Sequence, residues 1–402
     1  MTTMVSRFGS DTRGNVAMLF AMAALPLFGM IGAAVDYTRA SRTSAQIQAA
    51  LDAASLAVAK DSRRLSDAAL QDAANKAFAG NFTSPADLSL GTLQVLRTGN
   101  TIRLAVDGSL KTTIAATMGI STMPIGVASQ ASWNEPKIEI TLVLDNTGSM
   151  GWSGKMAALK TAALDLIADL EANRVSSDQV KIAVVPFDTQ VNIGTGYRNE
   201  PWIRFDGTGI ATALVTTRTA WTGCLTDRDQ PAHTTDVAPT SDPTRYRAAK
   251  CATGTLATVQ PLSTNFTAAR AAIAAMQPSG NTNITIGLQT GLAIASPGAP
   301  FAQSETTPDV LRYMILLTDG DNTQNRWTGT TSSIDARTAL ACNAVKAAGV
   351  TLFTVRVIEG NAALLRACAT DPSMYFNVTS SGGIGDAFKA ITSMIKRMRL
   401  SA

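Results

Sequence analysis

Asp145-Asn146-Thr147-Gly148-Ser149 places one carboxylate and two hydroxyls at alternate positions of a short polar segment. The segment follows an apolar run, 138–144, that reads as a buried strand. Three oxygen donors on one tight loop suit a hard divalent cation, which takes oxygen ligands and keeps some of its waters. A single carboxylate leaves such a cation under-neutralised, so the site could accept an acidic group from outside. That chemistry serves metal-bridged protein binding as well as catalysis.

Two later loops carry matching chemistry. Gly280-Asn281-Thr282-Asn283-Ile284-Thr285-Ile286-Gly287-Leu288 precedes a helix, and Thr318-Asp319-Gly320 follows the apolar strand 314–317. In an open α/β sheet, ligands sit at the carboxyl ends of the strands, where three such loops can meet. Each piece alone also has an ordinary reading. Asp145 could cap the helix beginning near Ser153, and Asn-Thr-Gly-Ser and Thr-Asp-Gly-Asp are common turn sequences. Asp319-x-Asp321-x-Thr323 starts like a calcium loop. Gln324 then stands where the glycine is required and Thr330 where the bidentate glutamate is required, so an EF-hand fails.

The elements that must position these loops alternate between strand and helix from residue 136 onward. Strands are expected at 138–144, 180–186, 314–317, 350–357 and 375–378, and helices at 155–170, 336–347 and 384–398. Continuous apolar strands between amphipathic helices predict an α/β fold with a doubly wound, mostly parallel sheet. Residues 194–260 break this rhythm. They are rich in Thr, Gly, Asp and Pro, carry Cys224 and Cys251, and are too long for an ordinary connection, so they read as an insertion.

Upstream, residues 16–35 form an uncharged run of about 20 residues, long enough to cross a bilayer as a helix. Arg7 and Arg13 precede it, and Asp36, Arg39 and Arg42 follow it, so charge bias gives little orientation. A cleaved signal peptide ending at Gly32-Ala33-Ala34 is the competing reading. The run is long for that, and an uncleaved anchor is expected. Ile47, Leu51, Ala54 and Val58 then form one apolar stripe, serving either a stalk that meets partner helices or a helix packed on its own domain. Alternation around Gly99-Asn100 predicts a hairpin in a small α+β module. The expected order is a cytoplasmic tail (1–14), a transmembrane helix (15–35), a helical stalk (36–80), the module (81–135) and the large α/β domain (136–402), with its insertion at about 194–260.

Composition narrows the function classes. Apolar residues make up 46% and charged residues only 16%, which allows a core, and a net charge of +4 is too weak to argue for nucleic acid. Four cysteines without C-x-x-C spacing and the lone His233 exclude a structural zinc site. If the bulk of the chain lies outside the cytosol, two disulfides are expected, in chain order Cys224–Cys251 and Cys342–Cys368. Four cysteines allow three pairings, and four buried free thiols are the other reading. Lys389, Lys396, Arg397 and Arg399 on the last helix could meet anionic lipid, but complementing a helix C-terminus is the expected role.

The three loops together resemble a von Willebrand factor type A domain, over about 138–398. That family carries a metal-ion-dependent adhesion site built from a D-x-S-x-S loop (here D-x-T-x-S), a threonine loop and a T-D-G turn. The resemblance implies Asp145, Thr147, Ser149, Thr282 and Asp319 as the ring around Mg²⁺ (or Mn²⁺ or Ca²⁺), hydroxyls binding directly and aspartates often through water. A partner's carboxylate would take the open position. Thr285 is a rival for Thr282, and the closing Gly287-Leu288 favours Thr282. Asp145's loop and Thr-Asp-Gly-Asp also resemble the haloacid-dehalogenase-like phosphotransferases, with Asp145 as nucleophile and Asp319 as metal ligand. That reading leaves the 280–288 loop unexplained.

The amino-terminal segment, Arg13-Gly14-Asn15-Val16-Ala17 through Gln46-Ile47-Gln48-Ala49-Ala50-Leu51-Asp52, resembles TadE/TadG-like Flp (tight adherence) pilus-assembly proteins. Met18, Leu19 and Phe20 stand where pseudopilins of that system usually carry a glutamate, so a retained anchor is implied. The two resemblances together imply a single-pass inner-membrane protein, the bulk of it periplasmic, that assembles or anchors a pilus. It would grip a protein partner of that machinery through an acidic residue, without catalysis and with no small-molecule substrate or nucleic acid expected. A surface adhesin for host or matrix ligands shares the same site and is the alternative.

Overall fold

The structure, a computed structural model, describes residues 14–59, 62, 65–99, 101–132, 136–174, 176–206, 215–307 and 309–401. The expected tail with Arg7 and Arg13, and Asn100 of the expected turn, lie outside these residues, as does the Arg399 side chain. The chain divides into two compact units, 1–134 and 135–402.

In the first unit, α1 (Gly14–Ala59) is a single helix, with α2 (Asp67–Asn81) after it. One 18-residue window of α1 has a mean hydropathy of 2.1 and is only 6% buried, and α1 is long and apolar enough to cross a membrane. Its later part behaves differently. Ile47, Leu51, Ala54 and Val58 are buried with Leu70 and Ala74 of α2 against a sheet of the same unit. The stripe therefore packs at home, and residues 36–80 are not separate from the module. That sheet comprises β1 (Leu88–Leu90), β2 (Gln94–Thr98), β3 (Thr101–Lys111) and β4 (Thr122–Ser132), all antiparallel to β3. Alternation on β3 buries Ile102, Leu104 and Val106. A 3₁₀ turn at Ala115–Met118 lies between β3 and β4.

The second unit opens with β5 (Lys137–Asp145) and α3 (Lys155–Ala172), then β6 (Val180–Phe187). The 194–260 stretch, expected only as an insertion, holds much of a small sheet: β7 (Val191–Asn192), β8 (Ile203–Arg204), β9 (Cys224–Thr226) and β10 (Tyr246–Ala249), in the order β7-β9-β10-β8. Strands of two to four residues are too short to display an alternating pattern. Next come β11 (Gln260–Ser263), α4 (Phe266–Ala275), α5 (Ile284–Ala295), β12 (Val310–Thr318), α6 (Thr331–Ala347), β13 (Thr351–Val357), α7 (Ala362–Cys368), β14 (Tyr375–Val378) and α8 (Gly383–Ser401).

The main sheet runs β11-β6-β5-β12-β13-β14, parallel except for the β11 edge. Helices α3, α4 and α8 cover one face; α5, α6, α7 and the small sheet cover the other. This is the doubly wound, mostly parallel α/β fold expected. Every residue of α5 is buried, which explains why it lacks an apolar stripe. It reaches the sheet through glycine: a Cβ on Gly287 would stand 2.7 Å from Phe187 Cδ1 and 3.0 Å from Val143 Cγ1. Disulfides join Cys224 to Cys251 and Cys342 to Cys368. Lys396 pairs with Asp169 of α3 at 2.6 Å, a contact within the unit.

Candidate metal centre at the strand switch point

Strand order reverses between β5 and β12, with β6 beyond one and β13 beyond the other. The carboxyl ends of two strands flanking such a reversal leave a crevice. Register determines what meets there. Leu317 stands opposite Leu144, so Thr318 and Asp145 emerge side by side. The Thr318 hydroxyl donates to Asp145 Oδ2 at 2.7 Å, and Thr147 N–H donates to Oδ1 at 2.8 Å. Asp145 is fully buried, and its pKa is pushed up to about 6, first by burial and then by the charge of Asp319.

The remaining expected residues close around this carboxylate. Thr147 Oγ1 and Ser149 Oγ are 3.0 Å apart, and Ser149 Oγ donates to Asp319 Oδ1 at 2.6 Å. A Cβ on Gly320 would stand 3.5 Å from Ser149 Oγ and 3.7 Å from Thr282 Oγ1, so both hydroxyls border that glycine. Backbone N–H groups tie the loops together. Gly148 N–H donates to Gly280 O at 3.0 Å, and Thr282 N–H donates to Thr323 Oγ1 at 2.8 Å. Thr285 goes elsewhere: its hydroxyl lies 2.9 Å from Thr338 Oγ1, inside the helical layer. The structure thus brings Asp145, Thr147, Ser149, Thr282 and Asp319 to one place and leaves Thr285 out. The four cysteines lie in the two disulfides.

Sequence reasoning missed Lys155. Its ammonium forms a buried ion pair with Asp319 Oδ2; the two side chains are 5% and 0% exposed. A signal existed. Lys155 opens α3, and a cation in a first turn opposes the helix dipole, so it needs another reason to be there. Also missed were Asp188 and Asp227. Asp227 accepts from Asn283 Nδ2 at 3.1 Å, and Asn283 N–H donates to Asp188 O at 3.1 Å, so both brace the Thr282 loop. Burial raises the pKa of each, that of Asp188 to about 6.

No cluster of three or more His, Cys, Asp or Glu is placed to hold a metal among the described residues. Here the donor set is two carboxylates and three hydroxyls from three loops. All are hard oxygens, and the buried, mutually repelling carboxylates favour added positive charge.

Residues 14–61 match the family model described as putative Flp pilus-assembly TadE/G-like, and residues 248–390 match the von Willebrand factor type A domain. The chain carries both modules. The second match includes Thr282 and Asp319 and starts after the Asp145 loop, which geometry alone joins to them. No curated protein matches the chain. Among solved structures it is similar to the pilus adhesin SpaC from Lactobacillus rhamnosus GG (14% identity, TM-score 0.42, 78% of this chain and 35% of that one). It is also similar to the vWF domain of the type V pili tip protein Mfa5 from Porphyromonas gingivalis (12%, 0.41, 66% and 96%). A third is proximal thread matrix protein 1 from the mussel byssus with a zinc-occupied MIDAS motif (16%, 0.36, 64% and 46%). The chain spans about a third of the length of SpaC.

Proposed function

We propose that this protein is a membrane-anchored, periplasmic component of Flp pilus assembly or anchoring whose type A domain grips a protein partner through a divalent cation. The observation that carries this reading is the convergence of Asp145, Thr147, Ser149, Thr282 and Asp319 at the strand switch point, in a chain that also carries a TadE/G-like segment. The three hydroxyls would hold Mg²⁺, with Mn²⁺ or Ca²⁺ as alternatives, and the two aspartates would neutralise it. The cation supplies a Lewis-acidic position for a partner's carboxylate. A binding role fits Asp145 better than a nucleophilic one. Its carboxylate is buried and already accepts from Thr147 and Thr318, so it is not presented to a substrate. The domain boundaries we adopt are an anchor within 15–35 and a type A domain over 136–402, with 36–135 acting as one unit.

The test is pull-down of pilus-assembly partners by the full chain with and without chelator, on wild type, Asp145→Ala and Asp319→Ala. Loss of divalent-dependent capture in both variants, with folding intact, supports the reading. Capture that survives both changes, or that ignores the chelator, overturns it. Fractionation to the outer surface would replace it with the adhesin alternative.

A further inference from the structure

The turn between β3 and β4 reaches up the apolar half of α1 from a polar attachment at Asp36. A Cβ on Gly32 would run into Ile114 Cγ2, with Ile114 Cβ 2.8 Å away. A Cβ on Gly29 would stand 2.5 Å from Met118 Cε and 2.7 Å from its Sδ. Just below, the border turns polar. Asp36 accepts from the N–H groups of Thr113, Ile114 and Ala115 at 3.0, 2.9 and 2.8 Å. Arg39 pairs with Asp36 and Asp87.

Helix arithmetic makes this placement informative. Gly29 lies seven residues before Asp36, about 10 Å along the axis at 1.5 Å per residue. The uncharged run 16–35 spans about 30 Å, the thickness of a hydrocarbon core. Removing the seven residues that the turn covers would leave about 20 Å, too short to cross. If α1 spans, the turn must enter the membrane beside it.

Its chemistry permits that. Residues 114–120 carry no charge. Ile114, Met118 and Ile120 are 39%, 55% and 56% exposed, although Ala115 is buried. Much of the backbone N–H is paired: Thr117 N–H to Ile114 O, Gly119 N–H to Ala116 O and Ile120 N–H to Ala115 O, each at 3.1 Å, and Ile114 and Ala115 N–H to Asp36. Each such pairing lowers the cost of setting that backbone against lipid. Exposed Tyr37 and Lys111 stand at the polar border, the residue types that anchor at headgroups.

We infer that the 114–120 turn is a second membrane contact, an apolar knuckle set into the interface beside α1. It fixes the height and rotation of the first unit on the bilayer. This rests on α1 being a membrane anchor, which is part of the proposed function.

The test is spin-label depth measurement on the full chain in phosphatidylethanolamine/phosphatidylglycerol vesicles. Labels go at Phe28→Cys, Met118→Cys, Ile120→Cys and Leu96→Cys. No described cysteine is free to compete. Leu96 pairs with Arg103, about 27 Å along β3 from Lys111, and serves as the aqueous reference. Oxygen should reach positions 28, 118 and 120 better than an aqueous nickel complex does, with the reverse at 96. Gly32→Leu should push the turn away, returning 118 and 120 to aqueous values while 28 stays in lipid. Wild-type 118 and 120 reading like 96, with 28 in lipid, overturns the knuckle and spares the anchor. Shielding of 118 and 120 from both reagents means protein covers them and also overturns it. An aqueous 28 overturns the anchor reading and the knuckle with it.

Discussion

Lys155 and Asp319 form an ion pair with both side chains buried, and Asp319 is one of the five residues that would hold a cation. Asp145 is another, with its pKa pushed up to about 6, partly by Asp319. Of the two carboxylates, Asp319 is the one paired with the Lys155 ammonium. If these residues hold a cation as proposed, Lys155 would compete with it for Asp319.

Replacing that lysine tests the competition. Lys155→Met leaves Asp319 buried without its partner, which costs on the order of 3–5 kcal/mol when the partner of a buried pair is removed. In chelator, the melting temperature should fall. With excess Mg²⁺ or Mn²⁺ much of the loss should return, and divalent affinity by titration calorimetry should rise about tenfold, about 1.4 kcal/mol. Unchanged or weaker affinity would show that Lys155 is no competitor.

Ser149 links the first and third loops through its 2.6 Å bond to Asp319. Ser149→Ala leaves that buried acceptor short of a donor, a loss of about 1–3 kcal/mol in chemical denaturation, and should weaken divalent binding. Thr147→Ser keeps its hydroxyl and should leave both nearly unchanged. Equal losses in the two variants would mean that loop shape, not the hydroxyls, sets the effect.

How far the sequence could lead is seen in these residues. Asp145, Thr147, Ser149, Thr282 and Asp319 stand in polar loops after or before apolar runs, so their chemistry is visible locally. The pairing of Lys155 with Asp319 joins residues 164 positions apart and has no local pattern beyond a cation at the wrong end of a helix. Five parallel strands were legible as apolar runs, whereas edge strand β11, Gln260-Pro261-Leu262-Ser263, has no apolar run to show. Helix α5 is buried on every side, with Thr285, Gln289 and Thr290 among its apolar residues, and gives no stripe. The stripe at Ile47, Leu51, Ala54 and Val58 was legible, but not its partner, because a buried face reads the same against any surface.

Close approach of α5 to the sheet gives a stability test. Gly287→Ala should gain about 1 kcal/mol of helix propensity. The new Cβ would stand 2.7 Å from Phe187 and 3.0 Å from Val143 in a filled core. Overpacking costs about 1–3 kcal/mol, so the clash wins and the variant should be net destabilised in urea. A stabilised variant would mean that α5 can lift from the sheet freely.

His233 is the chain's only histidine, so its titration can be followed alone. Arg337 Nη1 lies 2.9 Å from Nε2, which suits the neutral ring with Nε2 as acceptor, and Trp327 packs at 5.0 Å. Burial first and Arg337 second lower its pKa from 6.5 to about 4. A depressed pKa means that the unfolded chain binds the proton more readily than the fold does. The contribution of His233 is therefore fully present above pH 6.5 and lost as pH falls toward about 4. His233→Gln should remove this part of the acid sensitivity, read as a smaller fall in melting temperature between those limits than in wild type. Imidazole proton resonances that titrate near 6.5 in the folded protein would show that burial and Arg337 do not hold the ring neutral, and the sensitivity would then belong to other groups.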